Sequence, residues 1–191
     1  MLKKLIKIKK MQNQAAEKKY YWGIDPGSLV MGYAILSEQG KLYKLGILTL
    51  KGTDAEKYRV IFKFIQEMLQ LFPPKKIGIE APFYGKNVQA MMKLARAQSV
   101  VITAMALAEI PCLELAPRLV KQWATGKGGA SKEEVAQIMQ RKFQLQNIPK
   151  QKDATDALAI AFCIFSQKEN TISTNQKQFS SWKTYVEKKK L

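Results

Sequence analysis

Apolar and polar positions change their period several times along the chain, and each change marks a new element. Residues 20–25 (Tyr-Tyr-Trp-Gly-Ile-Asp) read as a first strand, which Pro26-Gly27 ends. Met31–Ser37 reads as a second strand and Lys41–Leu50 as a third, with Tyr43, Leu45 and Ile47 in alternation. Gln39-Gly40 between them is a hairpin-type turn, so the three strands form an antiparallel meander. From Asp54 to Leu71 the period becomes helical, with Tyr58, Ile61, Phe62, Ile65, Met68 and Leu69 at apolar positions. Asp54 is the expected N-cap and Pro73-Pro74 the expected stop.

The second half alternates strand and helix. Lys76–Glu80 is a short buried strand that Ala81-Pro82 terminates, and Asn87–Leu107 is a long helix rich in Ala and Met. Pro111 precedes another short strand, Cys112–Leu115, and Pro117 suits the first turn of a helix running to Trp123. Thr125–Ala130 is a flexible loop. Ser131 with Glu134 makes a capping box for a helix through Phe143, and a last helix runs from Asp153 to about Ser166. The order βββαβαβααα predicts an α/β domain over 20–166, a mixed sheet with helices on both faces. Residues 1–19 are expected to be a disordered basic arm and 167–191 a polar, Lys-rich tail with isolated Phe179 and Trp182.

Charge narrows the function. The 191 residues hold 32 Lys+Arg against 15 Asp+Glu, a net of +17, while 47% hydrophobic residues exclude a disordered chain. Residues 1–20 carry +6 and residues 166–191 carry +4, which leaves +7 in the expected folded part. Such a balance suits a polyanion, either nucleic acid or an anionic membrane surface. No stretch is read as apolar enough to span a bilayer, since the longest apolar run, Val100–Ala108, is broken by Thr103. The basic start lacks the apolar region of a signal peptide, so a cytoplasmic protein is expected. Cys112 and Cys163 lie in apolar runs and are expected to be buried, reduced thiols. The absence of histidine excludes Ser-His-Asp and Cys-His catalysis and every His-containing zinc site.

Four acids stand in special places. Asp25 ends the first strand, Glu80 ends the fourth, and Asp153 and Asp156 lie three apart at the start of the last helix. If the first and fourth strands are neighbours, both strand-end carboxylates share one edge of the sheet and the last helix closes the group. Carboxylates so clustered repel one another unless cations hold them. An all-oxygen site suits Mg²⁺, with Mn²⁺ as a substitute, and two such ions serve in-line hydrolysis at phosphorus without any histidine. Taken singly, each acid has a structural explanation: Asp25 as a turn residue, Asp153 as an N-cap, Asp156 as a first-turn acid. That explanation is weakest for Glu80, whose chain neighbours are apolar.

The same residues resemble a family. Gly23-Ile-Asp-Pro-Gly-Ser28, followed by Gly32-Tyr33, is similar to the opening motif of RuvC Holliday-junction resolvases. Ile79-Glu-Ala-Pro-Phe-Tyr-Gly-Lys-Asn87 resembles their second motif, Lys93–Gln98 the following helix, Val120-Lys-Gln122 with Gly126–Val135 the third region, and Asp153-Ala-Thr-Asp-Ala-Leu-Ala159 the terminal acidic motif. The matches keep the family's order over about residues 21–166. Pro82, Ser99, Gly128-Gly129 and the basic arm depart from the pattern without touching an acid.

The resemblance implies an RNase H-like (integrase superfamily) fold with a mixed five-stranded sheet. It implies a homodimer that resolves four-way DNA junctions by paired symmetric nicks leaving 5′-phosphates, in recombination and repair. Asp25, Glu80, Asp153 and Asp156 become the metal ligands, holding two Mg²⁺ ions per site. Lys121 and Lys132 fall on phosphate-contacting lysines, and Phe83 on the aromatic that meets bases near the junction centre. A branch-migration helicase complex (RuvA and RuvB) is the implied partner. Lys86, Asn87 and Lys127 flank the expected site and join the DNA-contacting set. The long helix is apolar around most of its circumference (Met91, Met92, Leu94, Val101, Met105), enough to cover the sheet and leave a subunit interface. Three other readings compete: an RNase H-like nuclease for structured RNA; a non-catalytic junction-binding protein, against which the intact acid set argues; and an actin-like sugar kinase, which shares a βββαβα core but normally needs a second domain and phosphate loops.

Overall fold

The computed structural model describes residues 20–81, 87–146 and 152–167. Five strands form one sheet: β1 (Tyr20–Asp25), β2 (Val30–Leu36), β3 (Leu42–Thr49), β4 (Pro74–Glu80) and β5 (Cys112–Leu115). Their order is β3-β2-β1-β4-β5. The meander β1-β2-β3 is antiparallel, whereas β4 joins β1, and β5 joins β4, in parallel. The helices are α1 (Asp54–Leu71), α2 (Val88–Leu107), α3 (Pro117–Thr125), α4 (Lys132–Lys142) and α5 (Lys152–Ser166). The expected arm and tail, and Phe83 and Lys86, lie outside the described residues.

Helices cover both faces, as the alternation of elements requires. One face of the sheet, with Trp22, Ile24, Met31, Ile35, Ile77 and Ile79, packs on α1 and α2 through Ile61, Ile65, Val101 and Met105. The other, with Tyr21, Ala34 and Leu36, packs on α5, flanked by α3 and α4 through Val120, Ala124, Val135 and Met139. The helix α5 buries Ala154, Thr155, Ala157, Leu158, Ala159, Ile160, Ala161, Cys163 and Ile164, so it is enclosed on nearly every side. Its small residues permit that.

Four expectations need correction. The N-cap of α1 is Thr53, one residue earlier than expected: its backbone N–H donates to the Glu56 carboxylate at 2.7 Å and its hydroxyl accepts from the Glu56 N–H, completing a capping box. Asp54 instead occupies the first turn and approaches Arg96 at 3.9 Å. Pro74 opens β4 rather than closing α1, because a strand's first residue tolerates a missing N–H. Cys112 is only half-buried, since β5 lies at the sheet edge, while Cys163 is buried; both are free thiols. Finally, α2, 20 residues long, is apolar enough to cross a bilayer by length and composition, at mean hydropathy 1.2 over an 18-residue stretch. Its stripe of Ala97, Gln98, Val101, Ala104 and Met105 packs on the sheet, and the rest of its apolar surface faces outward.

Candidate active site

Strand register decides where the acids point. In β1 and β4, Gly23 pairs with Gly78 and Ile24 with Ile79, so Asp25 and Glu80 come next, side by side at the same end. Side chains alternate along a strand, and Gly23 and Gly78 face α5, so Asp25 and Glu80 face it as well. Asp25 also pairs with Gly32 across β2. A Cβ at Gly32 would stand 1.9 Å from the Asp153 carbonyl oxygen, and one at Gly23 would stand 2.0 Å from that of Ala157. The helix backbone therefore rests on glycine backbone. Its first turn, which carries Asp153 and Asp156, is laid against the strand ends that carry Asp25 and Glu80.

Electrostatics report the same convergence. Burial pushes the Asp25 carboxyl up to about 8, helped by the negative charges of Asp156, Glu80 and Asp153 and opposed by Lys132. Glu80 is also raised, first by burial; Lys132 and Lys121 pull it down while Asp156 pushes it up. Lys132 Nζ donates to Asp156 Oδ2 at 2.6 Å. Burial works to lower the Lys132 ammonium, but the hydrogen bond and charge of Asp156, with Asp25 and Glu80, outweigh it and raise it. A second ion pair, Lys152 with Glu133, joins the same two helix starts.

A cleft of about 220 Å³ opens at this place, lined by Glu80, Asp156, Lys121 and Lys132 and walled by Pro117, Val120, Val135 and Ala159. Its acceptors are the carboxylates of Glu80 and Asp156, oxygen ligands of the kind hard divalent cations take, and the raised carboxyls of Asp25 and Glu80 show that crowded negative charge there is unfavourable without a cation. Among the described residues no three of these groups stand in a ready-made ligand cage. The residues thus fit Mg²⁺ by chemistry and by charge, with Asp156 engaged by a lysine.

The structure brings together Asp25, Glu80, Asp153, Asp156, Lys121 and Lys132. Lys127 sits exposed in the loop before α4, where its N–H donates to Thr125 Oγ1. Asn87 is the N-cap of α2, with Oδ1 accepting from the Ala90 N–H at 3.0 Å, so its side chain has a structural task. Sequence reasoning missed the positioning role of Gly23, Gly32 and Gly78. A signal for two of them exists, since Gly23 and Gly78 stand two residues before Asp25 and Glu80 in the same strands.

Comparison with known proteins agrees with this geometry. The family model of the crossover junction endodeoxyribonuclease RuvC matches residues 21–164. The RuvC of Bacteroides fragilis is 40% identical over 182 residues, covering 92% of this chain and 96% of the relative. That of Cytophaga hutchinsonii is 41% identical over 169 residues, covering 86% and 82%. Among solved structures, T. thermophilus RuvC in complex with a Holliday junction substrate matches with a TM-score of 0.71 at 25% identity, covering 80% of this chain and 97% of that one. The yeast mitochondrial resolvase Ydc2 shares the fold, with a TM-score of 0.59 at 12% identity and coverage of 83% and 84%. With the family's model matching residues 21–164 and a relative 40% identical over 92% of this chain, it belongs to the RuvC family of crossover junction endodeoxyribonucleases.

Proposed function

We propose that this chain is a structure-selective endonuclease that resolves four-way DNA junctions by metal-dependent phosphodiester hydrolysis. The observation that carries the reading is the seating of α5 on Gly23 and Gly32, which collects four carboxylates beside a lysine-lined cleft in a chain of net charge +17. Residues 20–166 form the nuclease domain, with basic segments on either side.

Asp25, Glu80, Asp153 and Asp156 are the groups that would hold Mg²⁺ or Mn²⁺, two ions per site. When bound, such ions supply Lewis acidity for water attack at phosphorus and neutralise the leaving 3′ oxygen, which gives 5′-phosphate ends. The protein's own residues do the rest. Lys121, Lys127 and Lys132 replace condensed counter-ions on the DNA backbone and hold it at the cleft. The apolar wall of Val120 and Val135 restricts water on one side of the carboxylates. Phe83, Lys86 and Asn87 complete the DNA-facing set by their place in the second motif.

Paired cuts need two sites related by a two-fold axis. The outward face of α2, with Val88, Met92 and Leu107 exposed, supports a homodimer built on that helix. A branch-migration helicase complex, RuvA and RuvB in the family, is the proposed partner, and the work is done where the cell's DNA lies, in the cytoplasm.

The test is cleavage of a synthetic four-way junction beside a linear duplex of the same sequence, in Mg²⁺ and in EDTA. Paired, ligatable nicks in the junction alone, and only with metal, are expected. Cutting of structured RNA but not of the junction would move the substrate to RNA. Tight junction binding without cutting in any metal would leave a non-catalytic binding protein.

A further inference from the structure

Lys132 occupies an unusual position for a lysine that is to grip DNA. Its ammonium donates to Asp156 at 2.6 Å, beside the acid group. The two partners are unequally free. The Lys132 side chain is 60% exposed, whereas that of Asp156 is 11% exposed. Asp156 belongs to the enclosed helix α5, whose backbone is pinned on the sheet glycines, so its backbone position is set. Lys132 stands at the first position of α4, where the Ser131–Glu134 capping box fixes its backbone and leaves its long side chain to swing. Its charge acts on Asp25 and Glu80 as well as on Asp156. The ammonium therefore does locally what a cation would do.

We propose that Lys132 is a displaceable internal counter-ion that competes with the divalent cation for Asp156 and holds the DNA-free site closed to metal. The inference rests on the reading of the four acids as the metal-holding group. It adds a regulatory task to a lysine whose expected role is phosphate contact. An Asp156 oxygen accepts either the ammonium or a metal ion, and the free chain starts with the ammonium. A nuclease so built takes up metal poorly until its lysine is drawn elsewhere, which limits stray cutting.

The experiment is Mn²⁺ titration of the full-length, DNA-free protein, read by the loss of free-ion EPR signal. Lys132→Met removes the competitor. Lys132→Arg keeps a charged donor. Lys121→Met removes a cation that acts on Glu80 and so controls for the general loss of positive charge. Asp25→Asn tests the metal group itself. Lys132→Met should bind Mn²⁺ roughly five- to tenfold more tightly than the parent, the size of a modest coupling between sites, with Lys132→Arg and Lys121→Met within about twofold. Equal gains in Lys132→Met and Lys121→Met, or no gain in Lys132→Met, would overturn competition at Asp156. The metal-site reading would survive that result if Asp25→Asn weakens binding. Absence of Mn²⁺ binding in the parent and in Lys132→Met would overturn both.

Discussion

On one face of the sheet a helix backbone lies directly on glycine; on the other, large side chains separate sheet and helices. Across the α5 face, Gly23, Gly32 and Gly78 leave no room for a Cβ, and the nearest atoms at the first two are backbone of α5. Across the opposite face, Trp22, Ile24 and Met31 meet Ile61, Ile65 and Met105 in ordinary side-chain packing. Side-chain packing relaxes by rotamer changes, but backbone contact does not. The tight face is the one that sets the acids. The looser face contributes stability and, beyond it, the exposed apolar side of α2.

The comparison breaks most sharply at Gly32. Gly32→Ala places a methyl group into the Asp153 carbonyl, so a loss of about 4 kcal/mol or failure to fold is expected in denaturant melts. Any folded fraction should be inactive on a junction, because the first turn of α5 must lift away. A near-normal Gly32→Ala would mean that the close seating is not what places the acids. On the other face, Ile61→Ala empties a fully buried site and should cost about 2–4 kcal/mol. Its junction cleavage per folded molecule should remain within about twofold of the parent, and a large activity loss would erase the distinction between the faces.

A smaller effect has the opposite sign. Asp25 is raised from 3.8 to about 8 in the fold, so the folded chain keeps a proton that the unfolded chain releases. Without metal, this group costs nothing below about pH 4 and progressively more as pH rises toward 8. Asp25→Asn should therefore be more stable than the parent in EDTA at pH 7, by on the order of 2 kcal/mol, with the gap closing toward pH 4. A gap that does not change with pH would show that burial and the neighbouring acids do not hold the Asp25 proton. Smallest is the outward surface. Met92→Lys should leave the melting temperature nearly unchanged while weakening self-association by about 1–2 kcal/mol in sedimentation equilibrium. An unaltered association constant would move the dimer interface off α2.

The sequence made the element order and most boundaries legible because period, proline and capping signals coincide there. Tyr20–Asp25 and Cys112–Leu115 have the bounds expected from Pro26-Gly27 and Pro111 beside them. The cap of α1 was misread because Asp54 and Thr53 are both good caps, and only the reach of Glu56 back to Thr53 separates them. The four acids were legible as a group through their places at element ends. The pairing of Lys132 with Asp156 was not, since it spans 24 residues and depends on how α4 meets α5. Nor was the capping task of Asn87, which lies in a motif otherwise read as DNA-facing. The seating of α5 needed three dimensions too: glycine in a strand signals close approach but does not name the visitor.

The central claim is that the four carboxylates gathered by α5 are the catalytic group of a junction nuclease. Its most direct test compares the parent and Asp25→Asn on one four-way DNA junction in Mg²⁺, measuring binding and single-turnover cleavage together. Binding should stay within about twofold or tighten, as repulsion from phosphate is removed, while cleavage falls by at least roughly a thousandfold. Cleavage by Asp25→Asn at a rate near the parent's would contradict the account.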